Sequence, residues 1–329
     1  MHMTSLKDVA QLAGVSPSTV SYYLNGKKRV RLETAERIQA AVRKLNYQPN
    51  LIARSLKMRV THSVGIVVSD LSNIFYLDIL SGMENVLRSR GYSSIVSNSR
   101  SDGQIEKENL RELTNRNIDG VILLGTGQNV APKCSEYGVP IVSVDRIGSE
   151  ETYTVSVDNV QGGYLGMKYL IRKGKKKVAF IGFPQRISLA ERYEGCKKAC
   201  VEAGLDPEES LIYFETQISP EHGYKAVMDL FYDGRLDTCD AVFAGADFVA
   251  YGALKALHDL GIDVPGQIGL IGFDDLALSQ FTVPALTTVQ QPRFEIGEKA
   301  ASMLLDMIDK KDAINSVKLK PVLVVRDSV

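Results

Sequence analysis

The chain has little from which to build a redox or metal centre. It contains only four cysteines, Cys134, Cys196, Cys200 and Cys239, and four histidines, His2, His62, His222 and His258, which are spread along the sequence. Zinc sites need thiolates and imidazoles at short fixed spacings, so no metal and no cofactor is expected. Scattered thiols fit a reducing, cytoplasmic setting. Long apolar runs are missing as well. No stretch approaches the roughly 18 residues that a membrane span needs, and the first residues lack the charged-then-apolar pattern of a secretory signal. There is no phosphate loop, nucleophile elbow or metal cluster, so catalysis is not expected. Asp274 and Asp275 form an adjacent pair, but neighbours in one loop point apart.

What is present is asymmetric. The formal net charge is zero, yet residues 1–60 hold 11 Lys and Arg against 3 Asp and Glu, while the remainder is acidic. A small basic head on an acidic body is the balance expected of a polyanion-binding module joined to a separate domain. With 329 residues, two or three domains with substantial cores are expected.

The head reads as helices. Ser5 can cap the first, with Asp8 three residues on, and Leu6, Val9, Ala10 and Ala13 fall on one face. Gly14 permits a turn, and Ser16-Pro17 supplies an N-cap followed by proline at the first helical position. The second helix then runs to about Leu24, burying Val20, and Asn25-Gly26 stops it. Ser18, Thr19, Ser21 and Tyr22 face outward. Two short helices around a tight turn have the geometry that places a recognition helix in a DNA major groove. A third helix over 33–45 can close the core through Ile38, Ala41, Val42 and Leu45, and Pro49 and Asn50 delimit a two-turn helix over 51–57. So short a helix needs a partner to persist.

The motifs Asp8-Val-Ala-x-x-Ala-Gly-Val-Ser16, Thr19-Val-Ser21, Leu45-Asn-Tyr-x-Pro-Asn50 and Ala53-Arg-Ser-Leu56 resemble those of the lac-repressor-like (LacI/GalR) family of bacterial transcriptional regulators. The resemblance covers essentially the whole chain. It implies a helix-turn-helix domain over 1–48, a hinge helix and linker over 49–60, and an effector-binding and dimerisation domain over 61–329. It further implies contacts to double-stranded operator DNA from Ser5, Leu6, Ser16, Pro17, Ser18, Thr19, Ser21, Tyr22, Asn25, Arg29, Tyr47, Asn50, Ala53 and Arg54. Leu56 would wedge between central base pairs of the minor groove, since an apolar wedge opens one stacked step. Two positions depart from the family: Tyr22 stands where Arg is common and Arg31 where a capping residue such as Ser is common. An altered operator preference follows, because Tyr22 offers one hydroxyl and a ring in place of a bidentate fork.

From His62 onward, apolar runs at 63–68, 92–96, 121–124, 140–144, 178–182, 241–244 and 268–272 alternate with helical stretches at 75–90, 104–116, 161–173, 189–203, 221–232, 249–260 and 293–309. This pattern argues for parallel sheets covered on both faces, and its length argues for two lobes. The resemblance implies a periplasmic-binding-protein-like body, with lobes near 62–158 plus 293–320 and 162–290 plus 322–329.

Ligands in such sheets bind beyond the carboxyl ends of strands. Asp70, Ser72, Asn73, Phe75, Asp145, Arg146, Arg186, Arg192, Asp247 and Asp274 all follow strands and suit a hydroxyl-rich or charged small molecule. Each is equally compatible with a surface ion pair or a helix cap, Asp158 and Asp247 especially. The resemblance singles out Arg192 and Asp274 as effector ligands. Ala246 and Ile218 stand where relatives often carry an amide and a stacking aromatic, which weakens a simple sugar assignment. Arg186 keeps phosphorylated sugars and other anions open. A repressor switched by a sugar or related metabolite is the first expectation, with a transport solute-binding protein as the alternative. A homodimer is expected, with Phe281 and the helix from about Phe75 at its interface, and the C-terminus adds no heptad repeat for a tetramer.

Overall fold

The computed structural model describes residues 5–24, 30–47, 60–125, 130–146, 152–183, 185–311 and 314–329. The chain divides into two compact units, Met1–Thr61 and His62–Val329.

In the first unit, α1 (Leu6–Ala13), α2 (Pro17–Leu24) and α3 (Leu32–Lys44) enclose a core of Val9, Ala10, Ala13, Val20, Ile38, Ala41 and Tyr47. A reciprocal capping box opens α1: the Asp8 amide donates to Ser5 Oγ at 3.3 Å, and the Ser5 amide donates to Asp8 Oδ2 at 2.8 Å. Gly14 ends α1 in the left-handed region at φ 64°, which turns the chain without a Cβ clash. Ser16 Oγ accepts from the Thr19 amide at 3.1 Å and starts α2. Arg31, at the N-cap of α3, gives its helix no side-chain cap. The expected 51–57 helix lies outside the described residues, as do Asn25, Arg29, Asn50, Ala53, Arg54 and Leu56.

The second unit holds two six-stranded sheets. The first lobe contains β1 (Ser63–Val68), α4 (Phe75–Ser89), β2 (Ser93–Asn98), α5 (Gly103–Asn115), β3 (Gly120–Leu124), α6 (Cys134–Tyr137), β4 (Ile141–Val144) and β5 (Tyr153–Val157). The second contains α7 (Asn159–Arg172), β6 (Val178–Gly182), α8 (Ile187–Glu202), α9 (Pro207–Ser210), β7 (Leu211–Glu215), α10 (Pro220–Tyr232), β8 (Ala241–Ala244), α11 (Asp247–Asp259), β9 (Gly269–Asp274) and β10 (Thr287–Gln290). The chain then returns to the first lobe with α12 (Arg293–Ile308) and β11 (Val317–Leu319), and closes the second with β12 (Val322–Val324). Strand orders are β11-β5-β4-β3-β1-β2 and β12-β10-β9-β8-β6-β7. All pairs are parallel except β10 with β12, so the expectation of parallel sheets holds with one antiparallel edge. That exception follows from the crossings between lobes: β10 leads out of the second lobe towards the first, whereas β12 enters the second lobe from the first directly after β11, so the two run in opposite directions.

Each sheet is covered on both faces, which is why its central strands are apolar throughout. Helix pairs pack through reciprocal glycines. A Cβ on Gly163 of α7 would lie 1.8 Å from the Arg192 carbonyl oxygen of α8, and one on Gly195 would lie 2.0 Å from that of Val160. Gly82 and Gly297 serve the α4–α12 pair in the same way, at 2.1 Å from Phe294 O and 2.0 Å from Ile79 O.

Candidate functional site

Two surfaces follow from this fold. In the head, the exposed face of α2 carries Pro17, Ser18 and Tyr22, with Ser16 exposed just before it. Thr19 is half-buried and its hydroxyl lies 2.9 Å from that of Ser16; Ser21 is also half-buried. Ser5 is exposed and Leu6 half-buried at the start of α1, whereas Tyr47 sits inside the core, 8% exposed.

In the body, a cavity opens between the lobes at the carboxyl ends of both sheets. Asn73, Phe75, Tyr76 and Asp145 line it from the first lobe, and Arg186, Ser188, Arg192, Ile218, Phe248 and Asp274 from the second, with Gln291 of the crossing segment between them. Asn73 Oδ1 accepts from the Phe75 amide at 2.9 Å, which sets the start of α4 and the position of Phe75. Asp145 holds φ at 60° and Asp274 at 121°, both in the region disfavoured for residues with a Cβ. Such backbone is retained at ligand clamps, where the surroundings fix it.

Arg192 is the hub of the second lobe. Its Nε donates to Asn159 Oδ1 at 3.0 Å and Nη1 donates to the Gly245 carbonyl. Its guanidinium lies 3.6 Å from the Phe273 ring centroid and 3.8 Å from Asp274 Oδ1, which also accepts from Gln291 Nε2 at 2.6 Å. Behind them Asp247 is fully buried. Its carboxylate accepts from the Leu276 amide at 2.8 Å and from the hydroxyls of Ser279 and Thr288, each at 2.6 Å. Burial, then the charge of Asp274, pushes the Asp247 carboxyl up to about 7. Burial also lifts Asp274 to about 6, against the opposing pull of Arg192.

The structure brings Asn73, Phe75, Asp145, Arg186, Arg192, Ile218 and Asp274 together, and directs other candidates elsewhere. Asp70 accepts from the Ser72 amide and hydroxyl at 2.9 and 2.7 Å in a local turn. Arg146 turns into the first lobe, where Nη1 and Nη2 pair with the Glu106 carboxylate and Nη2 reaches the Gly125 carbonyl at 3.0 Å. Asp247 pins the loop after β9 and strand β10; it stands at the first position of α11 without capping it. Phe281 is 73% exposed beside Leu278 and Val283 and does not line the cavity. Of the lining residues named above, sequence reasoning missed Tyr76, Ser188, Phe248 and Gln291. Ser188 stands one helical turn before Arg192 and Phe248 follows Asp247, so both were within reach of the same strand-end logic.

Among the described residues, no group of three or more His, Cys, Asp or Glu could hold a metal ion, and the four cysteines are free. No described helix is long and apolar enough to cross a membrane.

A capped helix-turn-helix joined to a two-lobed ligand-binding body defines a ligand-responsive DNA-binding transcriptional regulator. Residues 5–50 match the model of bacterial regulatory proteins of the lacI family, and residues 61–324 match that of periplasmic binding proteins and the sugar-binding domain of the LacI family. The chain belongs to the LacI family. It is 33% identical over 343 residues to the HTH-type transcriptional repressor PurR of Pectobacterium carotovorum, covering 99% of this chain and 97% of that one. It superposes on the lac repressor dimer bound to operator and the anti-inducer ONPF with a TM-score of 0.87 at 25% identity, over 99% of each chain. A LacI family regulator from Enterococcus faecium with bound ribose gives 0.72 at 27% identity, over 81% of this chain and 98% of that one. These relatives are regulators, not enzymes or transport proteins.

Proposed function

We propose that the protein is a repressor that binds a pseudo-palindromic operator as a homodimer and is switched by a small hydroxylated metabolite in the interlobe cavity. The observation that carries this reading is the cavity itself: Asp145 and Asp274 from opposite lobes converge on one space with Arg192 between polar partners. Carboxylates and a guanidinium so placed make strong hydrogen bonds to hydroxyls. The ribose of the E. faecium regulator is consistent with that chemistry. An effector that favours one lobe arrangement changes operator affinity through its differential affinity for the two states.

The exposed face of α2 reads the major groove, and residues 49–60 form the hinge, with Leu56 as its wedge. Exposed Leu278, Phe281 and Val283, at 52, 73 and 91%, make an apolar patch suited to a second copy.

Selection of duplex DNA from a random library by the full-length protein tests the reading. Enrichment of a pseudo-palindrome is expected, with affinity falling steeply as salt rises, because Lys and Arg contacts displace counterions. Absence of a preferred sequence, or a flat salt response, overturns it. Leu56→Ala should weaken specific binding far more than non-specific binding. Light scattering should give a dimer, and a monomer would remove the paired-head geometry.

A further inference from the structure

Resting on the reading of the cavity as the effector site, we propose that the effector carries an anionic group, a phosphate or carboxylate, seated on the first turn of α8 against Arg186 and Ser188.

The charges of the cavity are not all answered within the protein. Arg192 has Asp274, Asn159 and the Gly245 carbonyl, and Asp274 has Arg192 and Gln291. Arg186 lines the same space, yet its guanidinium enters none of the described hydrogen bonds or ion pairs. Across the cavity Asp145 is its counterpart, a carboxylate whose oxygens have no described hydrogen-bond partner. Among the groups facing the cavity, the charges without a described hydrogen bond or ion pair are therefore Arg186 on the second lobe and Asp145 on the first, the latter acting on Arg192 only at longer range.

The cation stands where an anion is otherwise favoured. α8 spans 16 residues, and Arg186 at its N-cap makes no side-chain cap. The Leu189 and Ala190 amides turn back to the Arg186 carbonyl, at 3.1 Å each, while those of Ile187 and Ser188 donate to no described group. A helix start with free amides carries positive partial charge aimed along its axis. A helix terminus alone does not define a site, but here a second group points the same way. Ser188 is only 7% exposed, lines the cavity, and its hydroxyl has no described partner. A hydroxyl that lines the cavity without a protein partner is left free to donate to a ligand oxygen there. A guanidinium, a hydroxyl and two amides at one helix start together match the oxygens of a phosphate or carboxylate. Asp145 and Asp274 leave the remainder of the ligand to hydroxyls, so the effector is a hydroxylated compound with one anionic end.

Thermal-shift titration of the full-length protein with matched pairs tests this: ribose and ribose 5-phosphate, glucose and gluconate, adenosine and its 5′-monophosphate, with inorganic phosphate alone. The anionic member of at least one pair should stabilise the protein where its neutral partner does not, phosphate against carboxylate separating the two sources. Arg186→Gln should weaken that binding by about 10- to 100-fold, the range of a lost charge-assisted contact, and Arg186→Lys should retain part of it. Ser188→Ala should weaken it less. Stabilisation by neutral members alone, or stabilisation unaltered in Arg186→Gln, overturns the anionic seat and leaves the cavity as a neutral-effector site. If no compound stabilises the protein, both the seat and the effector reading fall.

Discussion

The two lobes share one strand order, yet they spend their charged residues differently. In the first lobe the arginine that follows β4, Arg146, is folded inward against Glu106; their side chains are 1 and 6% exposed. In the second, Arg192 is equally buried but turns its guanidinium to the cavity beside Asp274. One lobe keeps its buried ion pair for its own structure and offers Asp145 singly. The other builds a prearranged network of Arg192, Asp274, Gln291 and Asn159 that a ligand can join without reorganising it. An ordered network costs little on binding, so if the cavity takes the effector as proposed, the second lobe is the anchoring half and the first the responding half.

The largest expected effect tests the inward arginine. Arg146→Met leaves Glu106 buried without its partner and should cost about 3–5 kcal/mol of stability. Glu106→Gln combined with Arg146→Met should recover much of that loss. Chemical denaturation of the three variants measures this. A wild-type stability in Arg146→Met together with lost effector binding would reverse the roles assigned to the two lobes.

Next come the helix crossings. Gly163→Ala and Gly82→Ala each place a Cβ within 1.8 and 2.1 Å of a backbone carbonyl, so the helices must separate. Each should cost about 1–3 kcal/mol. Only Gly163 abuts Arg192, so only its variant should also weaken effector binding in the thermal-shift titration. Equal effects on binding would show that both lobes preorganise the cavity.

Much of this was legible in the sequence because local chemistry decided it. Ser5 with Asp8, Gly14 and Ser16-Pro17 are caps and a turn whose residues act within one or two turns of themselves. Strands β1, β6 and β8 lie where their unbroken apolar runs place them. Strands β5, β7, β10, β11 and β12 were not legible: several carry half-buried or exposed positions, and β11 and β12 are only three residues long. Missing β10 also hid Gln291, which follows it. The adjacent Asp145 and Arg146 show a different limit. Their sequence says that both follow β4, but the turn at φ 60° decides that Asp145 meets the cavity while Arg146 turns inward.

A pH titration sharpens the contrast further. Asp247 and Asp274 have folded values above the ordinary carboxylate value near 4, so the folded state holds more protons than the unfolded chain between about 4 and 7. Their contribution is therefore fully present below that window and is lost as pH rises through it, by at most about 1.4 kcal/mol per pH unit for each proton. The stability of the wild type relative to Asp247→Asn should fall from pH 5 to pH 8. A difference that does not change with pH would mean that Asp247 is ionised throughout.

The smallest effect belongs to the tie between the lobes. Arg293 donates through Nε and Nη2 to Asp78 Oδ2 of α4, at 3.0 and 2.7 Å, and through Nη1 to the carbonyls of Asp274 and Asp275. Asp78 is 55% exposed, so its end of the tie is screened, and Asp78→Asn should cost less than about 1 kcal/mol, fading at high salt. Arg293 is 11% exposed and holds two carbonyls on a turn where φ is 121° and 53°. Arg293→Met should therefore cost more than Asp78→Asn at every salt concentration, since it frees acceptors in the anchoring lobe as well as the ion pair. Denaturation at low and high salt measures both. Equal, salt-sensitive losses would mean that Arg293 serves only the surface pair, and that the second lobe holds the Asp274 turn without help from the crossing segment.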